Sequence, residues 1–152
     1  FKEIIRENKL KKKFPFLVMS YSKKNVIRGL HIQTTNPQGK FISVLKGKVL
    51  DVVVDIRKGS PTYGKHHKVK LTGDNKLMFW IPPGFAHGFV TLEDNTIFTY
   101  KCTSFFNKES EGSVLWNDPA LNIDWGIENP VLSDKDRESL PLSELDSQFR
   151  FS

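Results

Sequence analysis

At 152 residues the chain is sized for one domain with its own core, and 38% hydrophobic with 26% charged residues is the composition of an ordinary globule. The longest apolar run, Leu77 to Val90, is cut by Pro82, Pro83 and Gly84, which excludes a transmembrane helix. A single cysteine, Cys102, excludes an internal disulfide and, with no signal-peptide pattern, points to a reducing cytoplasm. The net charge of +6 calls for an anionic partner without naming one. Part of it lies in Lys9 and Lys11-Lys12-Lys13, which read as a solvated face. No nucleic-acid fold signature is visible.

Taken in order, Phe1, Ile4 and Ile5 recur at helical spacing, so a short helix is predicted over Phe1 to about Lys11. The chain begins on Phe rather than Met, so a preceding segment is expected. From Leu17 the pattern becomes short strands: Leu17 to Tyr21, Val26 to Gln33, Lys40 to Lys46, Lys48 to Arg57, His66 to Leu71, Lys76 to Ile81, Gly88 to Leu92 and Thr96 to Thr103. Turns built on Asn36-Pro37, Gly47, Gly59-Ser60-Pro61, Gly73-Asp74-Asn75 and Pro82-Pro83-Gly84 separate them. That spacing predicts an all-β sandwich or barrel. After Thr103 the periodicity fades. Asn117-Asp118-Pro119 and Asn129-Pro130 read as turns, and Ser133 with Asp136 has capping-box spacing at a helix start.

The strand Val26 to Gln33 holds a cation, an imidazole and an amide among apolar residues. Alternation puts His31 and Gln33 on one face, and Gly29 is placed to make a bulge that brings Arg28 round to them. In Lys48 to Arg57, Leu50, Val52, Val54 and Ile56 form one face, with Val49, Asp51, Val53 and Asp55 on the other. Asp51 is therefore either a partnered pocket carboxylate or, with Asp55, a solvated edge group. Tyr100 shares a face with Phe98 and Cys102.

A metal is not expected. The His-x-His spacing of metal-binding barrels is filled here by His31-Ile32-Gln33, and adjacent His66 and His67 point to opposite strand faces. No nucleophile elbow, phosphate loop or dinucleotide fingerprint occurs. Proton transfer beside a carbonyl remains, with His31 as base, Tyr100 as acid and Lys40 at a developing oxyanion.

The ordered motifs Arg28-Gly29-Leu30-His31, Gln38-Gly39-Lys40, Gly47 through Arg57, Gly59-Ser60-Pro61-Thr62, Ile81-Pro82 with Gly84-Phe85-Ala86-His87-Gly88-Phe89, Tyr100-Lys101-Cys102-Thr103, Trp116-Asn117-Asp118-Pro119 and Leu132 through Asp136 resemble the dTDP-4-dehydrorhamnose 3,5-epimerase family. The resemblance spans nearly everything from Val26 to Asp136. It implies one cupin-like jelly-roll domain over 1–152, a homodimer, no metal or organic cofactor, and a nucleotide-linked 4-keto-6-deoxy hexose or heptose as substrate for surface-polysaccharide synthesis. It further implies that His31 is the base, Asp136 its orienting carboxylate, Lys40 the group at the keto oxygen, Tyr100 the acid on the opposite face, and Asp51 a further acidic pocket residue. Arg28, His87, Glu111 and Lys135 are implied as contacts to sugar and diphosphate and Glu3 as an N-terminal contact, and Gln33 and Gln38 are further expected substrate contacts.

The chain departs from the family pattern at Ile32, where an aromatic is common, at Phe106, where a tyrosine is common, and at Phe16 and Val18, where a Gln-x-Asn pair is common. A 3,4-ketoisomerase and a non-catalytic sugar-nucleotide-binding cupin are the competing readings. A nucleic-acid binder ranks last.

Overall fold

Alternating sequences bounded by Gly, Pro and Asn turns leave the backbone few options besides antiparallel strands. The computed structural model describes residues 11–151 and places strands at β1 (Phe16–Ser22), β2 (Ile27–Gln33), β3 (Lys40–Lys46), β4 (Lys48–Asp55), β5 (His66–Thr72), β6 (Met78–Ile81), β7 (Phe85–Thr91), β8 (Thr96–Cys102) and β9 (Glu111–Ser113). A one-turn helix, α1, covers Asp134–Arg137. The helix expected over Phe1 to Lys11 and the contact expected of Glu3 lie outside the described residues. Among the described residues no helix is long and apolar enough to cross a membrane.

The strands form two antiparallel sheets, one in the order β1-β8-β3-β6 and one in the order β5-β4-β7-β2-β9. They face each other across a core of Ile42, Val44, Val49, Val53, Leu71, Ile81, Phe89 and Phe98, with sheet-on-sheet packing of the jelly-roll, cupin-type kind. The β4 alternation works as read: Val49 and Val53 enter this core, while Val52, Val54 and Ile56 enter a second cluster on the outer face of the five-stranded sheet. That outer face is covered by the chain after Ser113, through Val114, Leu121, Trp125 and Leu142. The covering segment has no periodicity because its backbone attaches through isolated bridges, Val26 to Val131 and Val114 to Leu140, and through turns.

Most strands begin or end within two residues of expectation; two boundaries and one further strand differ for local reasons. Strand β7 starts at Phe85, not Gly88, which carries His87 into the sheet opposite His31. Strand β4 stops at Asp55, whose carboxylate turns back to accept hydrogen bonds from Arg57, Ser60 and Thr62. Strand β9 escaped the sequence because three residues are too short to show alternation. The solvated-edge reading of Asp51 and Asp55 is corrected: they are 0% and 2% exposed.

Candidate active site

The pairing of β2 with β7 shifts register between Arg28 and His31, as a bulge at Gly29 requires. Gly29 has φ of +111°, and a Cβ there would lie 2.6 Å from Gly88 Cα and from the His87 carbonyl oxygen, so only glycine lets the strands meet. Ile27 thereby joins Leu30 and Ile32 in the outer cluster, which turns Arg28 to the face of His31. On the opposite sheet Gly39 sits under the Trp80 ring, 2.4 Å from where a Cβ would be, and fixes the entry to Lys40.

His31, Lys40 and Tyr100 line one cleft of about 70 Å³ together with Phe16, Ile32, Gln33, Gln38, Phe106 and Glu111. His31 projects from β2, while Lys40 and Tyr100 come from neighbouring strands β3 and β8 of the facing sheet. The Lys40 ammonium lies 5.8 Å from the centre of the Tyr100 ring. A second recess under His31 and Lys40 is closed by Ile81, Pro83, Phe85 and Phe149; nothing in the sequence marked Phe149, which arrives from the C-terminal segment. The cleft is much smaller than the few hundred Å³ that enclose a whole ligand.

His31 Nε2 is bonded to Asp136 Oδ1 at 2.5 Å, which leaves Nδ1 as the nitrogen not used by that carboxylate. Asp136, 3% exposed, also accepts from Ser133 Oγ at 2.8 Å and from the Gly29 amide at 3.4 Å. Burial alone would raise its pKa, but the His31 and Ser133 hydrogen bonds win and hold it below the usual carboxylate range. The capping reading holds at the same time, since Ser133 Oγ accepts from the Asp136 amide at 3.2 Å.

Burial lowers the Lys40 pKa, with Cys102, Asp51 and Glu111 opposing. Burial pushes Tyr100 up to about 12, so it remains a phenol with a proton to give. Asp51 and His87 form a second pair behind the cleft, Oδ2 to Nε2 at 2.8 Å, with His87 5% exposed. His87, expected to touch substrate, thus sits inside the sheet sandwich.

The remaining expected contacts divide. Arg28 is exposed on β2, and its charge is felt at Tyr100. Glu111 and Lys135 form an ion pair at the mouth. Gln33 has its amide committed to backbone, donating to the Asn36 and Phe105 carbonyls at 2.7 and 3.1 Å and accepting from the Asn107 amide at 2.9 Å. Gln38 donates to the Ser104 carbonyl at 3.0 Å. These two glutamines fold the 104–107 loop over the cleft, a use their spacing gives no hint of. Among the described residues no three His, Cys, Asp or Glu side chains are grouped to hold a metal.

Comparison with known proteins adds three findings. A family model described as dTDP-4-dehydrorhamnose 3,5-epimerase matches residues 2–144. Proteins of that name from Methanothermobacter thermautotrophicus and Salmonella typhimurium are 44% identical over 144 residues and 54% identical over 119 residues. The matches cover 93% and 77% of this chain and 78% and 65% of those relatives. The crystal structure of dTDP-6-deoxy-D-glucose-3,5-epimerase from Legionella pneumophila, solved with dTDP-4-keto-L-rhamnose, superimposes with a TM-score of 0.94 at 45% identity. That match covers 100% of this chain and 86% of that one.

Proposed function

The chain belongs to the dTDP-4-dehydrorhamnose 3,5-epimerase family of isomerases, and from that premise we propose that it inverts C3, C5 or both in a dTDP-linked 4-keto-6-deoxy hexose. The observation that carries this reading is the set facing the cleft: a histidine backed by a buried carboxylate on one sheet, a lysine and a phenol on the other. The relatives are named for dTDP-hexoses, and the reading follows them in preference to a heptose.

A ketone at C4 acidifies the hydrogens at C3 and C5 because the carbanion delocalises onto oxygen. His31 removes such a proton, and the negative charge of Asp136 stabilises the imidazolium that results. The Lys40 ammonium receives the charge that develops on O4, an interaction of the kind that is worth about 3–4 kcal/mol when one donor is removed. Tyr100 then delivers a proton from the opposite sheet, and the centre is inverted without any net redox change. Arg28 and Lys135 suit the diphosphate, and the exposed rings of Phe105 and Phe106 beside the mouth suit the base.

A homodimer is part of the proposal. Leu17, Met19 and Tyr21 stand 62%, 68% and 64% exposed along β1 of the four-stranded sheet, left open by the described residues, which supports burial against a second copy. The test of function is incubation with dTDP-4-dehydro-6-deoxyglucose and NMR of the product. An inverted configuration at C3, C5 or both is expected; a carbonyl moved to C3 would make the chain a ketoisomerase instead.

A further inference from the structure

We propose that the buried Asp51–His87 pair is a positioning device for Lys40: Asp51 is the counter-ion that keeps the Lys40 ammonium protonated, and His87 holds the Asp51 carboxylate in place. The proposal deepens the epimerase reading and rests on it for what Lys40 does.

The geometry begins with an anomaly. Asp51 is 0% exposed among the valines of β4, and one of its oxygens is bonded to His87 Nε2. Its other oxygen, Oδ1, is sealed from solvent and has no hydrogen-bond partner. Native interiors seldom leave a carboxylate oxygen in that condition unless a charge stands nearby. The charge available is Lys40, on β3 of the facing sheet: burial pushes the Asp51 carboxyl up, and His87 and the Lys40 charge pull it back down, as Asp51 in turn supports the Lys40 charge.

The other groups around Lys40 do not supply a free anion. Cys102, its register neighbour on β8, is pushed up to about 11 by burial and stays a thiol. Tyr100, also on β8, stays a phenol. Glu111 on β9 is engaged by Lys135, and His31 on β2 is engaged by Asp136. His87 on β7 is pushed down by burial, which outweighs the opposing Asp51 charge and hydrogen bond, so its imidazole is neutral and donates to Asp51. Its ring is stacked on Phe98 at 6.3 Å with 21° between planes, which fixes the donor's direction.

Burial drives Lys40 toward the neutral amine, the form useless at a developing oxyanion. The Asp51 carboxylate, which does not line the cleft, opposes that without competing with substrate. Asp51 and His87 touch no reacting atom, so both are positioning residues.

Acylation of the intact protein by acetic anhydride between pH 6 and 10, read at Lys40 by peptide mass spectrometry, titrates that amine whether or not any sugar is turned over. Asp51→Asn is expected to lower the midpoint by at least ~1 pH unit, so that Lys40 labels ~10-fold faster near neutral pH. In turnover the same variant is expected to lose kcat with its alkaline limb moved to lower pH, while KM changes less. His87→Phe should move Lys40 in the same direction, and His87→Gln, which keeps a donor toward Asp51, should restore most of the wild-type labelling curve. Wild-type labelling at every pH in folded Asp51→Asn overturns the proposal. Should that variant fail to fold, identical curves for His87→Phe and wild type overturn it equally. A wild-type protein that labels as expected but converts no sugar refutes the epimerase reading and leaves the Lys40 result standing.

Discussion

Asp136→Asn tests the proposed base with almost no change of shape. The carboxylate is buried and accepts three hydrogen bonds, the shortest from His31 at 2.5 Å. When His31 takes a proton, that contact becomes an ion pair, and a hydrogen bond to a charged group contributes about 1.5–3 kcal/mol. At about 1.36 kcal/mol per factor of ten, losing it slows proton abstraction roughly 10- to 100-fold. The amide adds a second fault, because its N–H group no longer selects the ring tautomer that leaves a basic nitrogen toward the cleft; amidation of the buried aspartate behind a serine-protease histidine costs about 10⁴ for that reason. The expected loss in kcat is therefore about 10²–10⁴, with KM within a few-fold. The cap bond from the residue 136 amide to Ser133 Oγ is untouched, so the fold persists. Initial rates followed by NMR of the epimerised sugar, with circular dichroism as the folding check, measure this. Turnover above about a tenth of wild type would refute the dyad.

Lys40→Met keeps the length of the stem and removes the cation; kcat is expected to fall by about 10²–10³ while ligand binding measured by calorimetry persists. Tyr100→Phe removes only the phenol oxygen, so solvent exchange at the acidic carbon should continue while inversion drops at least about tenfold, and equal loss of both would contradict its role as the returning acid. Gly29→Ala places a methyl 2.6 Å from β7 backbone at φ of +111°, which should cost on the order of 1–3 kcal/mol in urea unfolding and lower turnover by displacing His31. Asp55 is held well below the usual carboxylate range: burial opposes this, but Arg57, Ser60 and Thr62 hydrogen bonds prevail. A depressed folded value gives stability that is complete above the unfolded carboxylate range and lost as pH falls through the folded one. Asp55→Asn should thus cost about 1.5–3 kcal/mol at pH 7, with the gap to wild type narrowing below about pH 4; a gap constant with pH would contradict it.

How legible this molecule was depends on which physical signal each part carries. The β4 alternation survived intact because one face meets the facing sheet and the other the covering segment, and each needs its own apolar set. The Gly29 bulge was legible because a glycine beside a cation and a histidine is wasteful unless backbone needs the room. His87 was misplaced because Ala86 and Gly88 are weak strand formers; the small size of Gly88 serves the close approach of β2, which no window of sequence reveals. Gln33 and Gln38 line the cleft and also tie a loop, which the sequence did not show, since an amide bonds to a backbone carbonyl as readily as to a sugar. The Asp51–His87 pairing joins positions 36 residues apart and left no local trace.

The measurement that tests the central claim most directly is deuterium uptake in D2O, comparing wild type with His31→Asn on dTDP-4-dehydro-6-deoxyglucose. Carbon-bound deuterium at C3, C5 or both with the wild type, and a rate reduced by at least about 10²-fold in His31→Asn, is the predicted result. Equal uptake by the two proteins, or none by either while the sugar nucleotide binds, would contradict proton abstraction by His31.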